Sequence, residues 1–259
     1  MKDGMNKLWS FGCSWTLGAE LGSNVNLVEF LIKHTGCKSI KEARNKLGDN
    51  NFVKEIIPKW LDLIGYHQND PSSSYAGVLS KKFELELVCC AVGGTGIDRA
   101  FFEIINNSKK INWDKDLVIL GVPPPGRWIA QSMPGGNNFR FFGLSSKLHR
   151  QLDPYLPSIE SMDMFHYSTL LSIKRLFPKV NIIRMYDNRN SACINDTRLD
   201  PDNIYIGSPA LSFENFCRSN SNNGNWQYPN AHPTEEFHEK FAEELLPYFN
   251  KINRRRLKA

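Results

Sequence analysis

A serine and a histidine lie at positions where they could act together as a nucleophile and its base. Ser14 lies in the run Phe11-Gly12-Cys13-Ser14-Trp15-Thr16-Leu17-Gly18, directly after a short apolar stretch. His232 lies in Pro229-Asn230-Ala231-His232-Pro233, just before a long amphipathic stretch. A serine hydroxyl becomes a nucleophile when a base within hydrogen-bond reach removes its proton, and histidine is the commonest such base. The pair therefore predicts acyl-transfer chemistry.

Apolar runs that predict strands alternate along the chain with amphipathic runs that predict helices. The strands are expected over Lys7–Phe11, Leu85–Val92, Leu117–Gly121, Val180–Met185 and a short Ile204–Ile206. The helices are expected over residues 15–21, 25–33, 39–47, 52–61, 75–83, 97–107, 163–177 and 234–250. This alternation favours a three-layer α/β/α sandwich with a mainly parallel five-stranded sheet, a flavodoxin-like arrangement.

Three glycine-containing segments follow predicted strands, and in such sheets ligands bind beyond the carboxyl ends of the strands. They are Gly12-Cys13-Ser14, Gly93-Gly94-Thr95-Gly96 and Gly121-Val122. We therefore expect them to meet at one edge of the sheet. The second segment could also cradle a phosphate, but it lacks the lysine of a P-loop and the full Gly-x-Gly-x-x-Gly pattern. Nucleotide binding is accordingly the weaker alternative.

The length allows one large α/β domain or two small ones, and the composition is that of an ordinary globular protein. The order of the elements predicts one domain over residues 1–259, with a helical insertion at about 22–74 and an irregular insertion at about 126–160. The 259 residues are 41% hydrophobic and 23% charged. The net charge of +5 lies partly in the tail Arg254-Arg255-Arg256-Leu257-Lys258, for which a solvated helix end is favoured over nucleic-acid contact. No partner of that kind is predicted, and the sequence does not indicate an oligomeric state.

Location, metal and cofactor are predicted from what the sequence lacks. No apolar run reaches about 18 residues, so no membrane span is expected. The N-terminus lacks an apolar core before a cleavage site, which predicts a cytoplasmic protein, or a virion or host-cytoplasm protein if it is phage-encoded. Six cysteines without a Cys-x-x-Cys pair predict reduced thiols. His232 and His238 have no apparent third ligand, so no metal is expected, and no cofactor is indicated.

The segment around Ser14 and the segment around His232 together resemble the SGNH/GDSL hydrolase family, in particular its small phage-type and bacterial members. The first family block is Gly-Asp-Ser-x-x-x-Gly, matched by Gly12-Cys13-Ser14 through Gly18 with Cys in place of Asp. The glycine of the second block is matched by Gly94. The last block, a His-Pro pair before a helix, is matched by His232-Pro233. The resemblance spans residue 8 to about 250, without counterparts for the two insertions.

The resemblance implies a site in which Ser14 attacks an ester carbonyl and His232 takes its proton. It also implies that the backbone N–H groups of Ser14 and Gly94 bind the oxyanion. At the position of the triad acid the chain has Pro229 and Asn230, and Asn230 could orient the imidazole without stabilising its positive charge. In a serine protease, Asp to Asn at that place lowers kcat by about ten-thousand-fold.

A second departure concerns the third family block, Gly-x-Asn-Asp, whose Asn donates to the oxyanion. This chain has Gly121-Val122-Pro123-Pro124, and Pro123 has neither a side-chain donor nor an N–H. One lost oxyanion donor lowers the rate by about a hundred- to a thousand-fold. Gly93, Arg127, Trp128 and Trp226 are the remaining candidates for lining the pocket, with packing as the alternative for the aromatic and basic ones.

Two functions of different classes follow. The first is a serine esterase or O-deacetylase that acts on a small ester or an acylated glycan through Ser14 and His232. The second is a catalytically degenerate SGNH-like binding or structural module, such as a piece of a phage particle, which the missing Asn and Asp favour. A carboxylate close to His232 would favour the first function, and its absence the second.

Overall fold

The computed structural model describes residues 6–21, 25–64, 69–123, 128–131, 139–142, 159–185, 212–221, 225–229 and 232–256. The strands within these ranges are β1 (Lys7–Phe11), β2 (Glu86–Cys89), β3 (Leu117–Val122), β4 (Trp128–Gln131), β5 (Phe139–Phe142) and β6 (Val180–Arg184). The first half contains the helices α1 (Ser14–Leu17), α2 (Leu27–Thr35), α3 (Ile40–Leu47), α4 (Asp49–Asn51), a π-helical turn (Phe52–Ile56), α5 (Ile57–Ile64) and α6 (Tyr75–Lys82). The later helices are α7 (Ile97–Asn107), α8 (Ile159–Leu176), α9 (Phe213–Asn220) and α10 (Glu235–Arg256).

The central sheet is parallel and has the strand order β2-β1-β3-β6. Trp9 of β1 pairs with Val88 of β2 on one side and with Val118 of β3 on the other. In this doubly wound topology the ligand crevice lies at the carboxyl ends of β1 and β3, where the strand order reverses direction. The predicted α/β class with a parallel sheet is confirmed with four strands. The fifth predicted strand, over Ile204–Ile206, lies outside the described residues.

Helices cover both faces of the sheet, because alternate residues of each buried strand point to opposite sides. β3 shows this most clearly, since all six of its residues are buried. Val118 and Leu120 belong to the core beneath α7 and α8. Leu117 and Ile119 belong to the core beneath α6, α9 and α10. The molecule therefore has the three layers that the alternation of elements predicts.

The segment predicted as a helical insertion is helical, and it has a hydrophobic core of its own. Asn26 and Ser39 cap α2 and α3 by accepting hydrogen bonds from backbone N–H groups in the first turns. Phe30, Phe52 and Trp60 pack together in this core. The helix predicted over residues 52–61 is divided into a π-helical turn and α5, and Pro58 is the second residue of α5.

Two predicted segments differ in the structure. The helix expected over residues 15–21 is only Ser14–Leu17, because Gly18 adopts a left-handed conformation and ends it. The segment expected to be irregular over about 126–160 contains the antiparallel hairpin β4–β5, in which Trp128 pairs with Phe142. Aromatic residues have high strand propensity, and this hairpin is rich in them.

Candidate active site

A two-residue turn after β1 places Ser14 at the carboxyl edge of the sheet. Gly12 has a φ of +145°, and a Cβ atom there would lie 2.5 Å from the Gly121 carbonyl oxygen, so the turn requires glycine. Cys13 is the N-cap of α1, and its carbonyl accepts a hydrogen bond from the Thr16 N–H at 3.0 Å. Ser14 is the first residue of α1 and is 7% exposed. The strand–turn–helix context predicted for Ser14 is present.

Close packing holds α1 against the sheet. The Thr16 hydroxyl lies 3.3 Å from the Tyr75 hydroxyl, and both residues are buried. A Cβ atom at Gly121 would lie 2.7 Å from the Tyr75 hydroxyl and would overlap Thr16 as well. Burial raises the pKa of Tyr75, so its hydroxyl stays neutral near neutral pH. These contacts fix the height of α1, and with it Ser14, above the ends of β1 and β3.

The glycine turn after β2 lies directly beside Ser14. The Val92 N–H donates to the Gly12 carbonyl at 3.0 Å, which ties this turn to the turn that precedes Ser14. A Cβ atom at Gly93 would lie 3.8 Å from the Ser14 Cβ. Gly93 and Gly94 are both exposed, and Gly94 has a φ of +72° with open space where a side chain would be. Gly93, predicted as a pocket residue, thus lies against the Ser14 side chain.

His232 is held by backbone hydrogen bonds on both sides. The Tyr228 N–H donates to the His232 carbonyl at 2.7 Å, and the Thr234 N–H donates to the Trp226 carbonyl at 3.0 Å. Gln227 and Pro233 form an isolated antiparallel bridge between these bonds. The side chain of His232 is 15% exposed. The histidine is therefore fixed in a narrow loop immediately before α10.

The carboxylate beside His232 is Glu20, a residue that sequence reasoning missed. Its Oε2 lies 3.4 Å from the His232 Nδ1, and its side chain is 6% exposed. Glu20 has a φ of 68°, which is unusual for a residue with a side chain. It lies in the turn that follows α1, far from His232 in sequence, so no spacing rule could have identified it.

The helices over residues 27–64 support the loop that carries His232. Tyr228 stacks on Trp60 with ring centroids 5.2 Å apart. The Asn225 side chain accepts from the Ile40 N–H and donates to the Lys38 carbonyl, each at 3.2 Å. The helical segment thus contacts the polypeptide on which the predicted base lies.

The other predicted site residues have different placements. Trp226 is buried against Trp15 with ring centroids 6.0 Å apart, so it packs beneath the site. Trp128 begins β4, and its side chain is not among those described. Arg127 and Asn230 lie outside the described residues.

His238 lies behind His232 and is buried with 1% exposure. Its Nδ1 accepts a hydrogen bond from the Tyr75 N–H at 3.0 Å, at the start of α6. Burial, aided by the nearby His232, lowers the pKa of His238 to about 3. His238 is therefore a neutral packing residue near neutral pH. Within the described ranges, no group of three or more His, Cys, Asp or Glu side chains has a metal-binding arrangement.

No protein-family model matches this sequence, and no curated protein matches it. Several solved structures have a similar backbone arrangement. A lipolytic protein of the G-D-S-L family from Veillonella parvula is 12% identical, with 94% of this chain and 98% of that chain covered, at a TM-score of 0.45. An acetyl xylan esterase from Butyrivibrio proteoclasticus is 12% identical, with 96% and 64% covered, at a TM-score of 0.42. A family two carbohydrate esterase from Cellvibrio japonicus is 14% identical, with 96% and 62% covered, at a TM-score of 0.40.

These neighbours are described as a lipolytic protein of the G-D-S-L family and as carbohydrate esterases. At these identities and TM-scores, what the site does has to be decided from Ser14, His232 and Glu20 themselves. Among the helices described, none is long and apolar enough to cross a membrane.

Proposed function

We propose that this chain is an SGNH/GDSL-type serine hydrolase that cleaves a carboxylic ester, with Ser14 as nucleophile and His232 as base. The observation that carries the proposal is the contact between His232 and Glu20, 3.4 Å apart. Glu20 lies in the turn that directly follows the Ser14 helix, and Gly18 in that turn accepts from Leu21 at 3.2 Å. Glu20 follows Ser14 by six residues, so this contact supports a shared site for the proposed base and the proposed nucleophile.

The proposed reaction has two acyl-transfer steps. The Ser14 Oγ attacks the ester carbonyl carbon while its proton passes to the His232 Nε2. The tetrahedral intermediate then collapses, the alkoxide leaves with the proton from His232, and an acyl-serine remains. A water molecule, deprotonated by His232, attacks this acyl group and releases the carboxylic acid and free Ser14. Nδ1 faces Glu20, so Nε2 is the nitrogen available for both steps.

The oxyanion of each tetrahedral intermediate requires N–H donors. In the proposed site they are the backbone N–H groups of Ser14 and Gly94, as the resemblance implies. Pro123 is buried at the end of β3 and supplies no donor where the family has Asn. Because one lost donor lowers the rate by about a hundred- to a thousand-fold, we expect slow turnover compared with an esterase that has three donors.

The substrate class that we propose is a small ester, such as an O-acetyl group on a glycan. Gly93 lies against Ser14 without a side chain, and a Cβ atom at Gly94 would meet open space, so neither glycine obstructs the approach of an ester to the proposed nucleophile. The proposed activity needs no metal or cofactor.

The decisive variant is Ser14→Ala, assayed by hydrolysis of p-nitrophenyl acetate and by release of acetate from an acetylated polysaccharide. We expect a loss of kcat/KM of about a thousand-fold or more, because nucleophilic catalysis ends with the hydroxyl. A fluorophosphonate probe should label the wild type at Ser14, as read by peptide mass spectrometry. Ser168→Ala is the matched control, because Ser168 is an exposed serine on α8 on the opposite face of the sheet, and it should retain full activity.

The proposal fails if the wild type hydrolyses neither substrate and takes no label at Ser14, or if Ser14→Ala hydrolyses at the wild-type rate. The first result would favour the alternative function, a non-catalytic binding or structural module. The missing Asn donor favours this non-catalytic alternative. The carboxylate beside His232 argues against it.

A further inference from the structure

We propose that Glu20 is the charged positioning residue for His232, in the role that the sequence alone assigned to Asn230. This inference rests on the proposed serine hydrolase function and adds the residue that gives its base the correct orientation and charge environment. Three observations support this role: the nitrogen that Glu20 contacts, the burial of its carboxylate and the backbone that presents it.

Glu20 contacts Nδ1 of His232, and in a serine hydrolase this is the ring nitrogen that faces the positioning residue. With Oε2 at 3.4 Å from Nδ1, the arrangement favours the imidazole tautomer that carries its proton on Nδ1. The lone pair is then on Nε2, where it can accept the Ser14 proton. An acceptor on Nε2 instead would have disabled the base.

Because Glu20 is buried, water does not screen the interaction between its carboxylate and His232. Neither carboxylate oxygen has a hydrogen-bond partner among the described residues, and the whole residue is 5% exposed. A buried carboxylate is strongly unfavourable unless a cation or donor accompanies it, and His232 is the group in contact with it. When His232 takes the Ser14 proton, it becomes the cation that this carboxylate lacks. The pair therefore stabilises the protonated imidazole formed during acyl transfer, which the amide of Asn230 could not do.

The backbone directly before Glu20 is held by contacts with Asn69 and Asp70, although the conformation of Glu20 itself is unfavourable. Residues with a Cβ atom rarely adopt a φ of 68°, and such conformations persist only where surrounding contacts impose them. Here Ala19 forms an antiparallel bridge with Asn69, and the Asp70 N–H donates to the Gly18 carbonyl at 3.1 Å. This strained turn is what directs the Glu20 side chain towards His232.

The kinetic test compares Glu20→Gln, which removes the charge at constant shape, with Glu20→Asp, which keeps it. We expect Glu20→Gln to lower kcat by about 10³- to 10⁴-fold with little change in KM, and Glu20→Asp to recover at least about tenfold of that loss. Glu29→Gln is the matched control, since Glu29 is an exposed carboxylate in the first turn of α2. A Glu20→Gln enzyme with kcat within about threefold of the wild type overturns the proposal.

A second readout does not depend on turnover. In ¹⁵N–¹H correlation spectra of the imidazole rings, with His232→Gln for assignment, neutral His232 should carry its proton on Nδ1. Glu20→Ala, which removes the acceptor facing Nδ1, should shift the neutral ring towards the Nε2–H tautomer, whereas Glu29→Ala should leave the tautomer unchanged. An Nε2–H tautomer in the wild type, or the same tautomer in Glu20→Ala as in the wild type, overturns the proposal.

The two proposals fail in distinguishable ways. If Glu20→Ala changes the tautomer of His232 but Ser14→Ala keeps the wild-type rate, the pairing stands and the hydrolase function is wrong. If Ser14→Ala abolishes hydrolysis while Glu20→Gln leaves kcat unchanged and Glu20→Ala leaves the tautomer unchanged, the function stands and Glu20 has no part in it.

Discussion

Glu20 combines two features that a residue chosen for stability would not have. Its carboxylate is buried with His232 as its neighbour, and its backbone is left-handed with a φ of 68°. A left-handed residue with a Cβ atom costs about 1–2 kcal/mol. The observed backbone outlier, together with the buried charge, is why we assign function to this residue.

Replacing Glu20 by Gly and by Ala separates the backbone effect from the side-chain effect. Both variants lose the carboxylate, but only Gly relieves the left-handed backbone. We expect Glu20→Gly to have a free energy of unfolding about 1–2 kcal/mol higher than Glu20→Ala, measured by urea titration. The same pair of changes at Glu29, within the first turn of α2, should have the opposite sign, since Gly destabilises helices. Equal stability of the two Glu20 variants would contradict the argument.

At the scale of elements, the position of Ser14 depends on how closely the four-residue α1 approaches the sheet. Gly121 in β3 has no room for a side chain, because Thr16 and the Tyr75 hydroxyl occupy the space. The loop of His232 depends on a different element, the helical segment whose Trp60 stacks on Tyr228. The proposed nucleophile and the proposed base are thus positioned by separate parts of the fold.

A methyl group at Gly121 tests the first of these dependencies. We expect Gly121→Ala to lower the free energy of unfolding by about 2–3 kcal/mol, because it overpacks the contact between β3 and α1. Activity should fall as well, because α1 carries Ser14. Gly36→Ala is the control: Gly36 is left-handed, but only the flexible end of Lys46 is near, so a loss of about 1 kcal/mol with unchanged activity is expected. A Gly121→Ala protein with wild-type stability and activity would show that α1 does not need this contact.

At the scale of the whole molecule, each face of the sheet buries a neutral histidine. His238 of α10 lies in the core beneath α6, α9 and α10, and burial together with His232 lowers its pKa to about 3. His166 of α8 lies on the opposite side, and burial lowers its pKa to about 4. Both have an ordinary value of 6.5 in an unfolded chain. Below that value the unfolded state binds more protons than the folded state, so stability falls as the pH falls.

Acidification should therefore destabilise the protein before its carboxylates titrate. Between about pH 7.5 and about pH 5, each buried histidine should lower the free energy of unfolding by about 2 kcal/mol, as followed by urea unfolding at a series of pH values. His238→Asn places an amide oxygen where Nδ1 accepts from the Tyr75 N–H, and it should remove about half of this dependence. An unchanged pH dependence in His238→Asn would show that His238 is not buried neutral.

The sequence alone determined the α/β class, the four strands of the parallel sheet and the strand–turn–helix context of Ser14. These features depend on local patterns: apolar runs of strand length, amphipathic periodicity and glycines where the backbone turns or approaches closely. Gly12 is an example, a glycine directly after a predicted strand that adopts a φ of +145° in the structure. The catalytic assignments of Ser14 and His232, and that of Asn230, remain predictions for the experiments above.

Only the tertiary structure decided which group lies beside His232. Glu20 has no periodic or spacing signal, because its neighbour lies more than two hundred residues away, in a loop held by the Asn225 and Tyr228 contacts. The sequence also did not indicate that α1 ends at Gly18 or that β4 and β5 form a hairpin. In both places helix, strand and turn preferences compete, and the tertiary structure decides which of them prevails. A long-range contact between two irregular segments is set by the packing of the elements around them. No short stretch of sequence predicts that packing.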